Sequence, residues 1–220
     1  MKKAAKWVLC IFSFVYGIDL IILLKMTEDH VPGCLESVGL PSVNMFFRNL
    51  FDYGSSGGYF RLPYLISEVL GIISLIICFF WVGLAISDAI KNGSIDRMDK
   101  TYFSTVCLYI LGVITRKILV SLNINYAPAT VSEKSALIVS FPCGNVFLII
   151  FSMCSSFYLV GYCLEEKKRI VLILRIVCMI ILVLGLITGL VSGVYWLTDI
   201  AGAICFAVPA LVIYSFFCDV

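Results

Sequence analysis

The sequence is poor in histidine and in charged residues. Among 220 residues there is one histidine, His30, and Asp, Glu, Lys and Arg together make up 14% of the chain. A single histidine excludes any mechanism that needs two histidine side chains from one chain. The low charge excludes an ordinary soluble domain, in which about a quarter of the residues are charged. The net charge of +2 is spread along the chain without a Lys/Arg-rich run, which argues against nucleic-acid binding.

Apolar residues are abundant instead, at 61% of the chain. Runs long enough to cross about 30 Å of hydrocarbon, which takes about 20 helical residues, recur along the whole length. We therefore predict an all-α, polytopic membrane protein with a single integral domain, 1–220, and six transmembrane helices. These helices are predicted at about residues 7–24, 64–86, 102–122, 144–164, 170–190 and 196–217.

The first run and the loop after it need separate interpretation. Residues 7–24 are longer than the apolar part of a signal peptide and no A-x-A-like site follows them, so we predict a retained helix. The loop 26–62 is the longest. Its aromatic, amphipathic segment 43–53 suits either a helix lying in the membrane interface or an aromatic belt beside the spans.

The distribution of Lys and Arg predicts the orientation. These residues are more frequent in the segments that face inward when the N-terminus is inside, and the turn 165–169, Glu-Glu-Lys-Lys-Arg, is the strongest inner marker. Both termini are then cytoplasmic, and the protein is expected in the plasma (cytoplasmic) membrane. The end of the third helix, the start of the fourth and the loop before the sixth share the outer side.

The ten cysteines do not indicate a metal or cofactor site. They form no C-x-x-C pair and no Cys/His cluster, and most lie in apolar runs, where cysteine acts as a small hydrophobe. We expect no metal and no cofactor. Cys34 and Cys143 are the two that we place outside the membrane, where a disulfide between them is an open possibility.

Residues 188–202, T-G-L-V-S-G-V-Y-W-L-T-D-I-A-G, carry a recognisable pattern. They resemble S-R-x5-H-x3-D, the third motif of the type 2 phosphatidic acid phosphatase superfamily. Thr188 stands at the Ser position, Gly189 at the Arg position and Tyr195 at that of the nucleophilic His. Only Asp199 keeps its identity.

The second motif of that superfamily, P-S-G-H, resembles the segment that begins at Pro142. Pro142 and Gly144 remain at a predicted helix start, where free backbone N–H groups favour a phosphate. Cys143 replaces the Ser that binds phosphate, and Asn145 replaces the His that protonates the leaving group.

The first motif, K-x6-R-P, is similar to residues 120–128. Val120 stands at the Lys position and Ala127 at the Arg position, and Pro128 is retained. Three matches in order, on one side of a six-helix chain, identify the sequence as a degenerate member of the superfamily over residues 102–217. The resemblance implies a bundle like that of the membrane-bound phosphatidic acid phosphatases.

In that family the third-motif His attacks phosphorus, the Asp orients it, and the second-motif His acts as general acid. This chain has one histidine, and losing a nucleophile or base costs about 10⁴ to 10⁶ in rate. The resemblance therefore implies a pseudophosphatase that binds lipid phosphate, or a membrane partner or second copy, without hydrolysis.

Two other functions stay open. Tyr195 and Cys143 are nucleophiles in principle, which would make the chain a divergent lipid phosphatase, a phosphoric monoester hydrolase, or a phosphotransferase. Their unperturbed pKa values, about 10 and 8.5, would then require a nearby cation. The intramembrane charges Asp19, Arg116 and Lys117 instead suit a small transport or assembly subunit.

The candidate substrate-binding set contains two cations and three motif residues. Arg116 and Lys117 lie about one helical turn before Val120, where they can extend toward the outer surface, either to a ligand or to lipid headgroups, or pair with Asp19. Asp199 fits a helix N-cap as well as a retained site. Tyr195 and Trp196 fit an aromatic belt at the membrane interface. The full set is Arg116, Lys117, Asn145, Tyr195 and Asp199.

Overall fold

Six long helices form the protein. The computed structural model describes residues 3–30, 37–51, 53, 58–128 and 139–218. In this part of the chain six helices are long and apolar enough to cross a membrane: α1 (Lys3–Met26), α3 (Arg61–Lys91), α4 (Lys100–Ser121), α5 (Gly144–Cys163), α6 (Lys168–Val191) and α7 (Leu197–Phe217). The predicted fold class, an all-α bundle with six transmembrane helices, is confirmed.

The helices α5 and α7 form the centre of the bundle. Their buried faces supply most of the main core, including Phe147, Phe151 and Phe206. α1 packs along α7, while α3, α6 and α7 surround α5, and α4 packs against α7 and α3. α1 and α6 expose large apolar side chains along most of their length, as expected for helices whose outer face contacts lipid rather than water.

The bundle has two ends, which differ in the helices that begin and finish there. α4 and α6 finish, and α5 and α7 begin, at one end, which we call the site end; the other is the opposite end. At the opposite end, Asp99 is the N-cap of α4 and accepts a 2.7 Å hydrogen bond from the Thr101 backbone N–H. A short 3-10 helix, Ile95–Arg97, precedes it.

The long loop covers the site end. It contains a two-stranded ribbon, β1 (Asp29–His30) and β2 (Ser37–Val38), followed by α2 (Pro41–Asn49). The predicted helical segment 43–53 is displaced: the helix starts earlier and ends at Asn49, and Tyr53 is buried outside it. The reason is that α2 packs onto the bundle. Its buried Asn44 donates 2.9 Å hydrogen bonds to the Gly39 carbonyl and to Thr198 Oγ1 of α7.

α2 also fixes the turn between α6 and α7. Arg48 donates a 2.8 Å hydrogen bond to the carbonyl of Gly193. Gly193 has a φ of 76°, and a Cβ there would lie 2.6 Å from the Tyr53 ring. Glycine is thus required at this turn both by the left-handed backbone and by the close approach of Tyr53.

Candidate functional site

Hydrogen bonds join the three motif segments at the site end. The Cys143 backbone N–H donates to the Asp199 carbonyl at 3.1 Å, which connects the second motif to the third. The Trp196 indole donates to the Tyr126 carbonyl at 2.7 Å, which connects the third motif to the loop of the first. Segments more than fifty residues apart in sequence therefore meet at the site end.

Asp199 lies in the third position of α7, not at the N-cap that its sequence context suggested. Trp196 is the N-cap, and its backbone N–H donates to Asp199 Oδ2 at 3.1 Å. The other carboxylate oxygen accepts from Asn125 Nδ2 at 3.0 Å. Asp199 has no exposed surface and Trp196 is 1% exposed. Trp196 therefore belongs to the core, and its assignment to an aromatic belt was wrong.

A buried polar network surrounds this carboxylate. Asn125 also donates to Thr198 Oγ1 at 3.0 Å and accepts from the Gly39 backbone N–H at 2.9 Å. Thr198 in turn accepts from Asn44 of α2. Buried polar groups are stable only when they are paired, so this network ties the covering loop, the loop after α4 and the start of α7 together.

Packed or uncharged residues occupy the positions at which the superfamily pattern has cations and a Ser. A Cβ on Gly189 would lie 3.1 Å from Val146 Cγ2, so this position faces a filled interior. Thr188 donates to the Leu184 carbonyl at 2.7 Å within α6. Val120 is half-buried near the end of α4, and Ala127 and Pro128 lie in the loop beyond it, with Pro128 buried.

Cys143 is a fully buried free thiol at the N-cap of α5. Burial raises the pKa of the Cys143 thiol, and the nearby Val146 and Asn145 amides and Arg116 offset only part of this effect. The thiol is therefore protonated at neutral pH and is a poor nucleophile. Cys34, with which the sequence left a disulfide open, lies outside the described residues.

Tyr195 lies beside Cys143 in the turn before α7. Burial raises the pKa of the Tyr195 phenol, nearby Cys143 and Glu68 raise it further, and Arg116 lowers it by less. The phenol thus remains protonated far above neutral pH. The structure places a cation near both candidate nucleophiles, as their chemistry would require, but burial has the larger effect on each.

Arg116 contacts the start of α5. Its guanidinium packs so closely against Gly144 that a Cβ at that residue has no room, while much of the side chain remains exposed. Among the described residues no carboxylate forms an ion pair with Arg116. The N-terminus of α5 at Gly144 carries a partial positive charge, and the Arg116 guanidinium adds a full positive charge beside it.

Glu68 of α3 is a candidate site residue that the sequence reasoning missed. Asn145 donates a short hydrogen bond from its side-chain amide to Glu68 Oε1. Glu68 is an ionisable residue inside a predicted apolar span, and such residues are functional candidates by default. That signal was present in the sequence and would have identified it.

Lys117 and Asp19 do not join the site. Both side chains are exposed, and within the described ranges neither forms an ion pair. The expected pairing of Asp19 with Arg116 or Lys117 is absent because α1 packs along α7 rather than α4. Of the two predicted cations, only Arg116 reaches the motif residues.

An apolar cleft of about 460 Å³ leads away from this site. It opens between α3 and α4 and has α5 as its floor. Arg116, Gly144 and Asn145 form its polar end, and the remaining walls are apolar, including Leu75 and Phe151.

Comparison with known proteins gives one informative result. No protein-family model and no curated protein matches the chain. Among solved structures, the chain is similar to a transmembrane PAP2 type phosphatidylglycerolphosphate phosphatase from Bacillus subtilis, with a TM-score of 0.63 over 95% of each chain and 16% sequence identity. The chain is therefore a multi-pass membrane protein with the PAP2 phosphatase fold, and the fold that the resemblance implied is confirmed.

Proposed function

We propose that this protein is a pseudophosphatase that binds a phosphate-bearing membrane lipid at the site end and leaves it intact. One observation carries the proposal: the Arg116 guanidinium lies over Gly144, at the polar end of an apolar cleft between α3 and α4. The arrangement offers a positive site for a headgroup next to an apolar channel for an acyl chain.

The headgroup end has donors suited to a phosphate. The Gly144 backbone N–H lies at the start of α5, and N–H groups at a helix N-terminus bind phosphate readily. The next two amides, of Asn145 and Val146, already contact the Cys143 thiol. A guanidinium beside them can donate two parallel hydrogen bonds to phosphate oxygens. Arg116 is exposed to that end of the cleft, so it can contact a lipid that enters from the membrane.

The apolar end suits an acyl chain. The cleft volume of about 460 Å³ falls within the range of about 300–1,000 Å³ that is typical of ligand pockets. Its opening between two lipid-facing helices allows a lipid to enter without leaving the bilayer. With the orientation that Lys and Arg predict, the headgroup end faces outward in the plasma membrane and both termini are cytoplasmic.

The lack of hydrolysis follows from the side chains at the reacting positions. Phosphoryl transfer needs an available nucleophile and a proton donor near neutral pKa. The third-motif position holds Tyr195 and the second-motif positions hold Cys143 and Asn145. Burial keeps the phenol and the thiol protonated, and an amide does not transfer a proton.

Binding of phosphatidate to the purified protein, measured by native mass spectrometry, tests this function. We expect Arg116→Gln to weaken binding about tenfold or more, since one charge-assisted contact contributes about 1.5–3 kcal/mol and about 1.4 kcal/mol is a factor of ten. Lys117→Gln is the matched control, because it removes the neighbouring, exposed cation, and it should change binding less than twofold. Equal losses in both variants, or no loss in either, would contradict a headgroup site at Arg116.

Gly144→Ala probes the same site through the backbone. A Cβ at this position displaces the Arg116 guanidinium from the start of α5 without removing its charge. We expect phosphatidate binding to fall while the thermal unfolding midpoint changes little, since the displaced group is the end of a flexible side chain. Unchanged binding would separate Arg116 from the α5 N-terminus and argue against their joint role.

A further inference from the structure

A second cleft lies at the opposite end of the bundle, away from the motif residues. It has a volume of about 410 Å³, with α6 on one side, α7 and the start of α1 on the other, and α5 as its floor. Its walls are almost entirely apolar, including Met153, Leu182 and Val212. The cleft exists because α6 packs along α5 and α3 and meets α7 only sparsely.

One cation lines this cleft and a second contacts its wall. Lys6 of α1 lines it and donates to the Ser215 carbonyl at 3.3 Å. Arg175 of α6 donates from Nε to the carbonyl of Phe157 at 3.1 Å and stacks over the Phe157 ring at 4.7 Å. Phe157 itself lines the cleft, and Arg175 precedes the lining residue Cys178 by three positions, about one helical turn toward the opposite end.

Hydrogen-bond donors remain available at this opening. Within the described part of the chain, neither terminal nitrogen of the Arg175 guanidinium has an acceptor, and Lys6 uses one of its three N–H groups. Tyr158 lines the cleft and interacts electrostatically with Arg175. Its hydroxyl also has no acceptor among the described residues. An intramembrane Arg with unpaired donors is costly unless an anion or water meets it.

The position along the helices fits one leaflet. Arg175 lies about two helical turns, or about 10 Å, from the start of α6, and Leu182 lies about another 10 Å deeper. A long Arg or Lys side chain can extend from such a depth to the headgroup level. The cleft therefore runs from the interface to about the middle of a bilayer whose hydrocarbon core is about 30 Å thick.

We propose that this cleft is a second lipid site, specific for an anionic phospholipid of the leaflet at the opposite end. The phosphate lies between Lys6 and Arg175, and one acyl chain fills the gap between α6 and α7. Basic pockets between transmembrane helices suit anionic headgroups, and the cytoplasmic leaflet, which this end faces in the predicted orientation, is rich in them. The site stands on residues that are separate from the headgroup site at Arg116.

The test compares phosphatidylglycerol with phosphatidylcholine of identical acyl chains, bound to the purified full-length protein and measured by native mass spectrometry. We expect Lys6→Gln and Arg175→Gln each to weaken phosphatidylglycerol binding about tenfold and to leave phosphatidylcholine binding unchanged. Arg169→Gln is the matched control, since Arg169 is an exposed cation on the same helix end and lies six residues farther than Arg175 from Cys178, where α6 begins to line the cleft. It should change binding less than twofold.

The same measurement in the Arg116→Gln background keeps the two sites apart. If Arg175→Gln weakens phosphatidylglycerol binding both in the wild-type protein and in the Arg116→Gln variant, a second site is supported. If only Arg116→Gln weakens binding, the proposal is overturned. Equal binding of the two lipids by the wild-type protein also overturns it.

A second experiment uses the wild-type protein, in which the contacts between Arg175 and Phe157 are kept. Phosphatidylglycerol with a photoreactive acyl chain should label residues 178–182 and 208–212 of the wild-type protein, and the phosphatidylcholine analogue should label them weakly. Labelling elsewhere only, or equal labelling by the two lipids, would overturn the proposal.

Discussion

Asn125 donates a 3.0 Å hydrogen bond to the buried carboxylate of Asp199. The only residue of the third motif that keeps its identity is thus held by a neighbour from the loop after α4, and its other oxygen by the Trp196 backbone N–H. In the phosphatase pattern this acid orients a histidine. Here it fixes the start of α7 to the covering loops, so Asp199 has a structural role in this chain.

Asp199→Ala should destabilise the protein. The substitution leaves Asn125 Nδ2 one partner short and the Trp196 N–H unpaired in a site with no exposed surface, and each buried donor left without an acceptor costs about 1–3 kcal/mol. We expect a clear fall in the thermal unfolding midpoint in detergent. Asp19→Ala is the control, because that carboxylate is exposed, and it should change the midpoint little. Similar midpoints for the two variants would contradict a structural role.

Glu68→Gln should strengthen lipid-phosphate binding. The Glu68 carboxylate lies beside the proposed headgroup site through Asn145, where it repels an anion, and the amide of Gln keeps an acceptor for Asn145. Phosphatidate affinity, measured by native mass spectrometry, is expected to rise severalfold. Asp29→Asn removes an exposed carboxylate from the same end and should have no effect. A fall in affinity on Glu68→Gln would show that the carboxylate assists the ligand.

Cys143 should resist thiol reagents in the folded protein. Its thiol is buried and burial raises its pKa, so both access and thiolate formation are suppressed. At pH 7.5 to 8.5, maleimide should modify Cys163, which is exposed at the end of α5, and leave Cys143 unmodified until the protein is denatured. Peptide mapping by mass spectrometry distinguishes the two. Rapid modification of Cys143 would favour a reactive cysteine and an active enzyme.

The stability contributed by Asp99 should depend on pH. Partial burial acts to raise the pKa of the Asp99 carboxyl, but hydrogen bonds from Tyr162 and Thr101 lower it by more, to below its usual value of 3.8. A depressed pKa in the folded state means that the stabilisation is complete above about pH 4 and is lost as the pH falls through the folded value.

Asp99→Ala should therefore lower stability by about 0.5–2 kcal/mol at pH 7, as for other N-caps, and the difference should shrink between pH 4 and pH 2. Thermal midpoints recorded across this range provide the measurement. Asp96→Ala, at an exposed position of the preceding 3-10 helix, should show no such dependence. A difference that persists unchanged at pH 2 would contradict the assignment.

The sequence predicted the architecture well because hydrocarbon imposes a simple rule. A helix that crosses it must be long and apolar, and the six runs satisfy this wherever the structure places a span. The predicted sidedness placed the three motif segments at one end of the bundle, and Cys143 and Asp199 are hydrogen-bonded there. The helix α3, Arg61–Lys91, is longer than its apolar run because polar residues at both of its ends continue the helix beyond the hydrocarbon.

The residues that could not be placed in the site from the sequence are brought there by contacts between distant segments. Asn125 and Asn44 are ordinary loop and helix residues in the sequence, and only the covering of the site end by α2 brings them to Thr198. Trp196 resembles an interfacial aromatic until the loop after α4 buries it. The separation of Arg116 from Lys117 likewise follows from which helix face meets α5, and a single helix cannot show this.

The most direct test of a binding site without hydrolysis is phosphate release from phosphatidate and phosphatidylglycerophosphate by the purified, reconstituted wild-type protein. Binding is recorded on the same preparation. We expect the lipid to be bound and recovered intact, with phosphate release no faster than in empty vesicles. Release above that background, abolished by Asp199→Ala in protein that still folds, would contradict a pseudophosphatase and show that a nucleophile other than histidine serves this fold.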